Sequence, residues 1–327
     1  MALTTDSRET MDVIDTSGPV GFIGLGAMGL GMAQNLLRKG YTLHVFARRP
    51  RSADAVVEAG AIWSASPQAL GRACKLVVLS LPDAAAVEAV LFGVDGLADG
   101  LVDGLAVGSC VVDTSSIAAT SARDFAVRLR ARGIWLLDAP VSGGQPGAQA
   151  GTLGCMVGGP APVLQACRSA LESFCKTITH VGDVGAGQTV KACNQVAVAG
   201  ALLGVADAMA LATAQGVDPS IMREVLMGGA ARSFSLEKHG PRIIAESFTP
   251  GFRAVLMRKD LRLALATAEA SGAVLPSTAV AEELLDAMCA DGRGDWDWCA
   301  LALQVRKLSG QPLPAAIEPA VLTAKAA

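Results

Sequence analysis

Lys191, Asn194 and Gln195 are, by type and spacing, the residues of this chain best equipped to move a proton. They lie in the run Gly185-Ala-Gly-Gln-Thr-Val-Lys191-Ala-Cys-Asn194-Gln195, which opens a long apolar helix. Residues three and four positions apart share a helical face, so an ammonium and two carboxamides meet on an otherwise apolar wall. Burial disfavours the ammonium form, lowering a lysine's pKa towards the range where it exchanges protons near neutrality. A solvated lysine in a first helical turn could carry the same sequence. The segments upstream decide between the two.

Residues 20–23 form a short apolar strand, followed at once by Gly24-Leu25-Gly26-Ala27-Met28-Gly29 and a helix running to about Lys39. Met28, Met32 and Leu36 make its apolar stripe, and Gly40 stops it. A GxGxxG run between a strand and a helix is a dinucleotide fingerprint. Its glycines let the backbone approach a pyrophosphate, whose charge meets the helix N-terminus. A second strand, 42–46, ends in Ala47-Arg48-Arg49-Pro50-Arg51, with no carboxylate before Asp54. An acid at that place suits the ribose 2′-hydroxyl of NAD, whereas arginines suit the 2′-phosphate of NADP. Arg48 and Arg49 therefore point to NADP, with NAD possible.

The elements that must position these groups follow from the same pattern. Apolar runs at 76–80, 110–113 and 134–138 predict further strands, separated by helical stretches such as 84–90 and 118–132. Each strand ends in a polar or glycine-rich loop: Leu81-Pro82, Thr114-Ser115-Ser116, and Ser142-Gly143-Gly144. Ligands collect at such carboxyl ends in open α/β sheets, and two side-chain-free residues expose backbone N–H groups suited to a carboxylate. Alternating strands and helices predict an α/β fold, a Rossmann-type doubly wound parallel sheet. Beyond His180 the periodicity is helical only, over 189–215, 219–227, 258–271 and 278–291. An all-helical C-terminal domain is expected there. The predicted organisation is a disordered leader (1–19), a dinucleotide domain (20–182), a substrate and oligomerisation domain (183–311) and a tail (312–327).

Composition sets the outer bounds. A chain of 327 residues, 51% hydrophobic and 17% charged, has material for about two domains. A net charge of −3 provides no general field for nucleic acid or an anionic membrane. The uncharged apolar stretch 196–206 is shorter than the about 20 residues of a membrane span. The lysine helix is therefore expected inside protein or in a subunit interface, and so much apolar surface suggests a homodimer or homotetramer. Eight scattered cysteines without a CxxC pair, and three histidines, predict no metal site and suit a reducing cytoplasm.

Four segments in order resemble the 3-hydroxyisobutyrate dehydrogenase (β-hydroxyacid dehydrogenase) family. Gly21-Phe-Ile-Gly-Leu-Gly-Ala-Met-Gly29 is similar to its opening signature, and Asp138-Ala-Pro-Val-Ser-Gly-Gly144 to its substrate loop. Gly151-Thr-Leu with Met156-Val-Gly-Gly159, and Gly185-Ala-Gly-x-x-x-Lys191, complete the match over about residues 20 to 308. Phe248-Thr-Pro-Gly-Phe-Arg253 followed by Lys259-Asp260-Leu261 looks most like the branch of 2-hydroxy-3-oxopropionate (tartronate semialdehyde) reductases. The resemblance implies an NAD(P)-dependent oxidoreductase that interconverts a short carboxylated aldehyde and its 3-hydroxy acid. Lys191 would be the acid/base and Asn194 the neighbouring amide that holds the substrate, with Gln195 also binding substrate. Ser142, Gly143 and Gly144 would grip the substrate carboxylate. Gly24, Leu25, Gly26, Ala27, Met28 and Gly29 would hold the pyrophosphate; Leu81, Pro82, Ser116 and Lys259 would line the rest of the cofactor. Ala47 stands where relatives often carry Asp or Asn, and Trp296-Asp297-Trp298 replaces a less aromatic stretch, which leaves substrate size open. 3-Hydroxyisobutyrate, L-serine, threonate, glyoxylate and succinic semialdehyde remain alternatives. So does a non-catalytic dinucleotide-binding module.

Overall fold

The computed structural model describes residues 14, 16, 18–93 and 100–313. The chain forms two units, 1–188 and 189–327, which divide inside a single helix, Ala186–Ala214.

The first unit is built on nine strands: β1 (Val20–Ile23), β2 (Leu43–Phe46), β3 (Ile62–Trp63), β4 (Leu76–Leu79), β5 (Cys110–Asp113), β6 (Trp135–Asp138), β7 (Val141–Ser142), β8 (Leu153–Gly158) and β9 (Cys175–Gly182). Their order is β3-β2-β1-β4-β5-β6-β8-β7, with β9 on β8. All pairings from β3 to β6 are parallel. Successive residues feed opposite faces, as the period of two requires. Phe22 and Val112 enter one apolar cluster with Met32 and Leu36, while Ile23 and Val111 enter the other with Leu79 and Phe125. Chain order reverses at the β1–β4 pair, which places the ligand crevice of such a sheet at the carboxyl ends of those two strands.

The parallel-dominated, doubly wound sheet is as expected; beyond β6 it turns antiparallel at β8, which pairs with both β6 and β7. The sequence of β9, Cys-Lys-Thr-Ile-Thr-His-Val-Gly, is largely exposed, so it lacks the continuous apolar run by which a fully buried strand is recognised. Within the expected leader, two described residues make contacts. Thr16 donates its hydroxyl to the Ala166 carbonyl at 2.7 Å, and Ile14 packs on the first cluster. Residues 1–13, 15 and 17 of that leader lie outside the described residues.

The second unit is helical, as expected. Its helices include Pro219–Met227, Ala254–Ser271, Pro276–Met288 and Leu301–Leu308. The last was not anticipated; its polar Gln304 is buried at 3% exposure and donates to Asp291, which masks the apolar face in the sequence. Ala186–Ala214 spans 29 residues, so by length and composition alone it could cross a membrane. The shorter apolar stretch 196–206 is bounded by the polar Gln195 and Asp207, and the helix runs past both. Ala199, Leu202, Val205, Ala206, Met209 and Ala210 of this helix pack in the core with Met257, Leu261, Leu285 and Trp298. Leu313 joins that core, and the rest of the expected tail, from 314, lies outside the described residues.

Candidate active site

The turn after β1 is shaped by its glycines, each for a different reason. Gly24 has φ +100°, and a Cβ there would stand 2.2 Å from the Ser80 carbonyl oxygen. A Cβ on Gly29 would stand 1.9 Å from the Gly24 carbonyl oxygen, so the helix start could not close on the turn. Gly26 differs: a Cβ would meet nothing within 4 Å. Gly26 and Ala27 are exposed, Leu25 is buried, and Met28 precedes the helix Gly29–Arg38, whose first turn carries no acid. This open, uncharged cradle at a helix N-terminus fits a pyrophosphate. At the end of β2, Ala47 is buried and offers no polar group, while Arg48 and Arg49 are exposed.

The neighbouring strand ends are fastened together. Leu81 donates its N–H to Ser115 Oγ at 2.9 Å, Ser115 donates its own to Asp113 Oδ1 at 2.9 Å, and Thr114 Oγ1 donates to the Leu79 carbonyl at 2.6 Å. Thr114 and Ser115 are therefore both structural members of the triplet, and Ser116 is half-buried beside them. Leu81 and Pro82 follow β4 at the crevice.

Ser142 ends β7, and Gly143 and Gly144 follow with φ +132° and +64°, conformations that side chains rarely adopt. Just before them, the wholly buried Asp138 carboxylate caps the start of Ala186–Ala214. It accepts N–H groups from Gly185 (2.8 Å) and Gln188 (2.9 Å). Burial pushes its pKa up, and those two bonds pull it partly back. Gln188 in turn receives the Ile117 N–H and donates to the Ser115 carbonyl. Neither Asp138 nor Gln188 was singled out from sequence; a carboxylate closing a buried strand was the available signal.

In the second unit the lysine face is as the spacing implies, with one refinement. Lys191 Nζ donates to Gln195 Oε1 at 3.2 Å, and Asn194 Nδ2 donates to the same oxygen at 2.8 Å. The amide that meets the ammonium is thus Gln195, four residues on, rather than Asn194. Gln195 Nε2 donates to Asp260 Oδ2 at 2.7 Å, and Lys259 Nζ lies 3.2 Å from Asp260 Oδ1. Burial lowers the Lys191 pKa, opposed by the charge of Asp260 and assisted by that of Lys259. Asp260 enters the sequence reading only as part of Lys259-Asp260-Leu261, with no role of its own; its bond to Gln195 is what the structure adds.

Trp296-Asp297-Trp298 belongs to the core of this unit. Trp296 stacks on Phe248 and Trp298 meets His239 edge-on. Asp297, 1% exposed, accepts N–H groups from Gly251, Phe252 and Cys299 and pairs with Arg242 at 2.9 Å. His239, Asp297 and Cys299 form a group of potential metal ligands. The Arg242 guanidinium already neutralises the carboxylate, so a second cation there would be repelled. Burial lowers the His239 pKa, with Asp297 raising it and Arg242 lowering it. The imidazole of the unfolded chain therefore takes a proton at a higher pH, near 6.5, than that of the folded chain. Stability should be intact above that pH and fall as pH drops through it. A His239→Gln variant should lose this component of the Tm-versus-pH slope below about 6.5; an unchanged slope would assign it elsewhere.

Comparison with known proteins agrees with both halves. Residues 19–182 match the NAD-binding domain of 6-phosphogluconate dehydrogenase, and 185–305 match the NAD-binding domain of NADP-dependent 3-hydroxyisobutyrate dehydrogenase. The chain is 40% identical to a 2-hydroxy-3-oxopropionate reductase of Escherichia coli (strain K12), over 90% of its own length and 99% of that enzyme's. It is 38% identical to a 3-hydroxyisobutyrate dehydrogenase of Pseudomonas aeruginosa, over 81% and 90% of the two chains. A solved Mycobacterium tuberculosis 3-hydroxyisobutyrate dehydrogenase with L-serine superposes with a TM-score of 0.81 at 30% identity, covering 88% of this chain and 99% of that one. With both halves matched and these relatives covered almost end to end, the chain belongs to the 3-hydroxyisobutyrate dehydrogenase-like family of NAD(P)-dependent hydroxyacid oxidoreductases.

Proposed function

We propose that the protein is an NADP-preferring 2-hydroxy-3-oxopropionate reductase, reducing a short carboxylated aldehyde reversibly to its hydroxy acid. The observation that carries the reaction type is the half-buried Lys191, held by Gln195 and lowered in pKa by burial. A dinucleotide, when bound, would supply the hydride that reduces the carbonyl carbon. Lys191 Nζ gives its proton to the carbonyl oxygen as negative charge develops there, and takes one from the hydroxyl in the reverse direction. Gln195 holds the ammonium, Asn194 beside it holds the substrate, and Ser142, Gly143 and Gly144 hold the substrate carboxylate through backbone N–H groups. Gly24 to Gly29 cradle the pyrophosphate, with Leu81, Pro82, Ser116 and Lys259 along the remainder of the cofactor. The choice of substrate within the family rests on the similarity to the Escherichia coli reductase.

Carboxylate recognition gives a direct test. Glycolaldehyde, which lacks the carboxylate, should show a kcat/KM roughly 10- to 100-fold below that of 2-hydroxy-3-oxopropionate, the worth of one charge-assisted hydrogen bond. Equal values would remove the Ser142 loop from substrate binding.

NADP preference is supported by the exposed Arg48 and Arg49 beyond a buried, apolar Ala47. Replacing both by alanine should raise the KM for NADPH by roughly 10- to 100-fold and leave that for NADH nearly unchanged. A parallel rise for both cofactors would contradict the assignment. A homo-oligomer is supported by the exposed Leu211, Val217, Ile221, Val225 and Phe234 of the helical unit. The scattered thiols accord with a cytoplasmic protein.

A further inference from the structure

The Gln195 carboxamide, only 6% exposed, is engaged at both ends. Its nitrogen faces Asp260 Oδ2 at 2.7 Å and Met257 Sδ at 3.4 Å; its oxygen faces Lys191 Nζ and Asn194 Nδ2. A carboxamide donates at one end and accepts at the other, and a half-turn exchanges them. An ionised carboxylate only accepts, so Asp260 is compatible with one orientation. In the other, Oε1 would oppose Oδ2 of Asp260, while Nε2 would oppose the Lys191 ammonium and the Asn194 NH2 group. Such mismatched contacts between buried groups leave donors and acceptors unsatisfied. Lys259 Nζ, 3.2 Å from Oδ1, faces the other side of the carboxylate.

We propose that Asp260 is a positioning residue for Lys191 that acts through Gln195, fixing the amide so that its oxygen holds the ammonium. The inference rests on Lys191 being the proton donor, but its geometry belongs to the protein without substrate. An amide oxygen directed at Nζ stabilises the protonated lysine and aims it, whereas a flipped amide would repel it. The charged groups that act on Lys191 are Asp260, which favours the ammonium, and Lys259, which opposes it.

The decisive experiment follows acetylation of Lys191 by acetic anhydride against pH in the full chain, read by peptide mass spectrometry, alongside kcat–pH profiles. The variants are Asp260→Asn, the near-isosteric Gln195→Met, and the double variant. An asparagine at 260 both donates and accepts, so it permits both amide orientations. The labelling midpoint should then move to lower pH, and kcat should fall roughly tenfold. In the Gln195→Met background the same Asp260→Asn change should shift the midpoint by less than half as much, the remainder being the direct field of the carboxylate. Equal shifts in both backgrounds, or no shift in either, would overturn the proposal. Should Asp260→Asn fail to fold, Gln195→Glu tests the same oxygen: it should raise the midpoint, and an unchanged midpoint would count against the proposal. If labelling behaves as expected but no aldehyde is turned over, the positioning holds and the proposed function alone fails.

Discussion

Lys191→Ala is expected to lower kcat by about 10²–10⁴-fold, the usual worth of general acid catalysis, while the Kd for NADPH changes little. The lysine emerges from the helix Ala186–Ala214 and bonds Gln195. The cofactor turn is made by other residues, Gly24 to Gly29 after β1. Binding and proton transfer should therefore separate in the variant. Stability gives an independent reading of the same group. Its pKa in the folded chain is lowered by burial from the ordinary 10.5. Between the folded value and 10.5 the unfolded chain binds more protons, so this group makes stability rise with pH across that window. Lys191→Met should abolish that rise and should melt no lower than the wild type near neutrality. A variant that keeps full turnover, or that loses NADPH affinity in step with kcat, would remove Lys191 from its role.

The second large effect concerns two glycines of one turn that should fail differently. Gly29→Ala forces a Cβ to within 1.9 Å of the Gly24 carbonyl oxygen, a backbone atom that cannot swing aside. Overpacking of this kind costs about 1–3 kcal/mol, which at roughly 2–4 °C per kcal/mol lowers Tm by several degrees. Gly26→Ala adds a methyl group where nothing lies within 4 Å, so Tm should not change. If the pyrophosphate passes over Gly26, that methyl occupies its path. The NADPH Kd should then weaken by at least about tenfold, or about 1.4 kcal/mol. Wild-type affinity in Gly26→Ala would place the phosphates elsewhere. Calorimetry on the two variants separates a folding glycine from a binding one.

These cases also show what was legible before the structure. Strands β1, β4 and β5 are mostly apolar runs, and the helix 219–227 and the 258–271 part of the helix 254–271 carry a 3.6 period, so their physics is local. The antiparallel β7–β8 pair and the exposed β9 depend on partners distant in sequence, which no local pattern reports. The site divides the same way. Lys191 and Gln195 share a helical face by spacing alone. Asp260, 65 residues away, becomes their partner only when its helix packs against theirs. Asp138 was visible as the end of an apolar strand, but its capping of Gly185 and Gln188 spans 47 and 50 residues. Trp296 and Trp298 read as departures that touched substrate choice; they are core residues around the buried Asp297.

The central claim is most directly tested by initial rates of NADPH oxidation with 2-hydroxy-3-oxopropionate, glyoxylate, succinic semialdehyde and methylmalonate semialdehyde, each run with the wild type and Lys191→Ala. The highest kcat/KM is expected for 2-hydroxy-3-oxopropionate, with a preference for NADPH over NADH and loss of that rate in the variant. Tight NADPH binding with no turnover of any of the four, or turnover that survives the loss of Lys191, would contradict that claim.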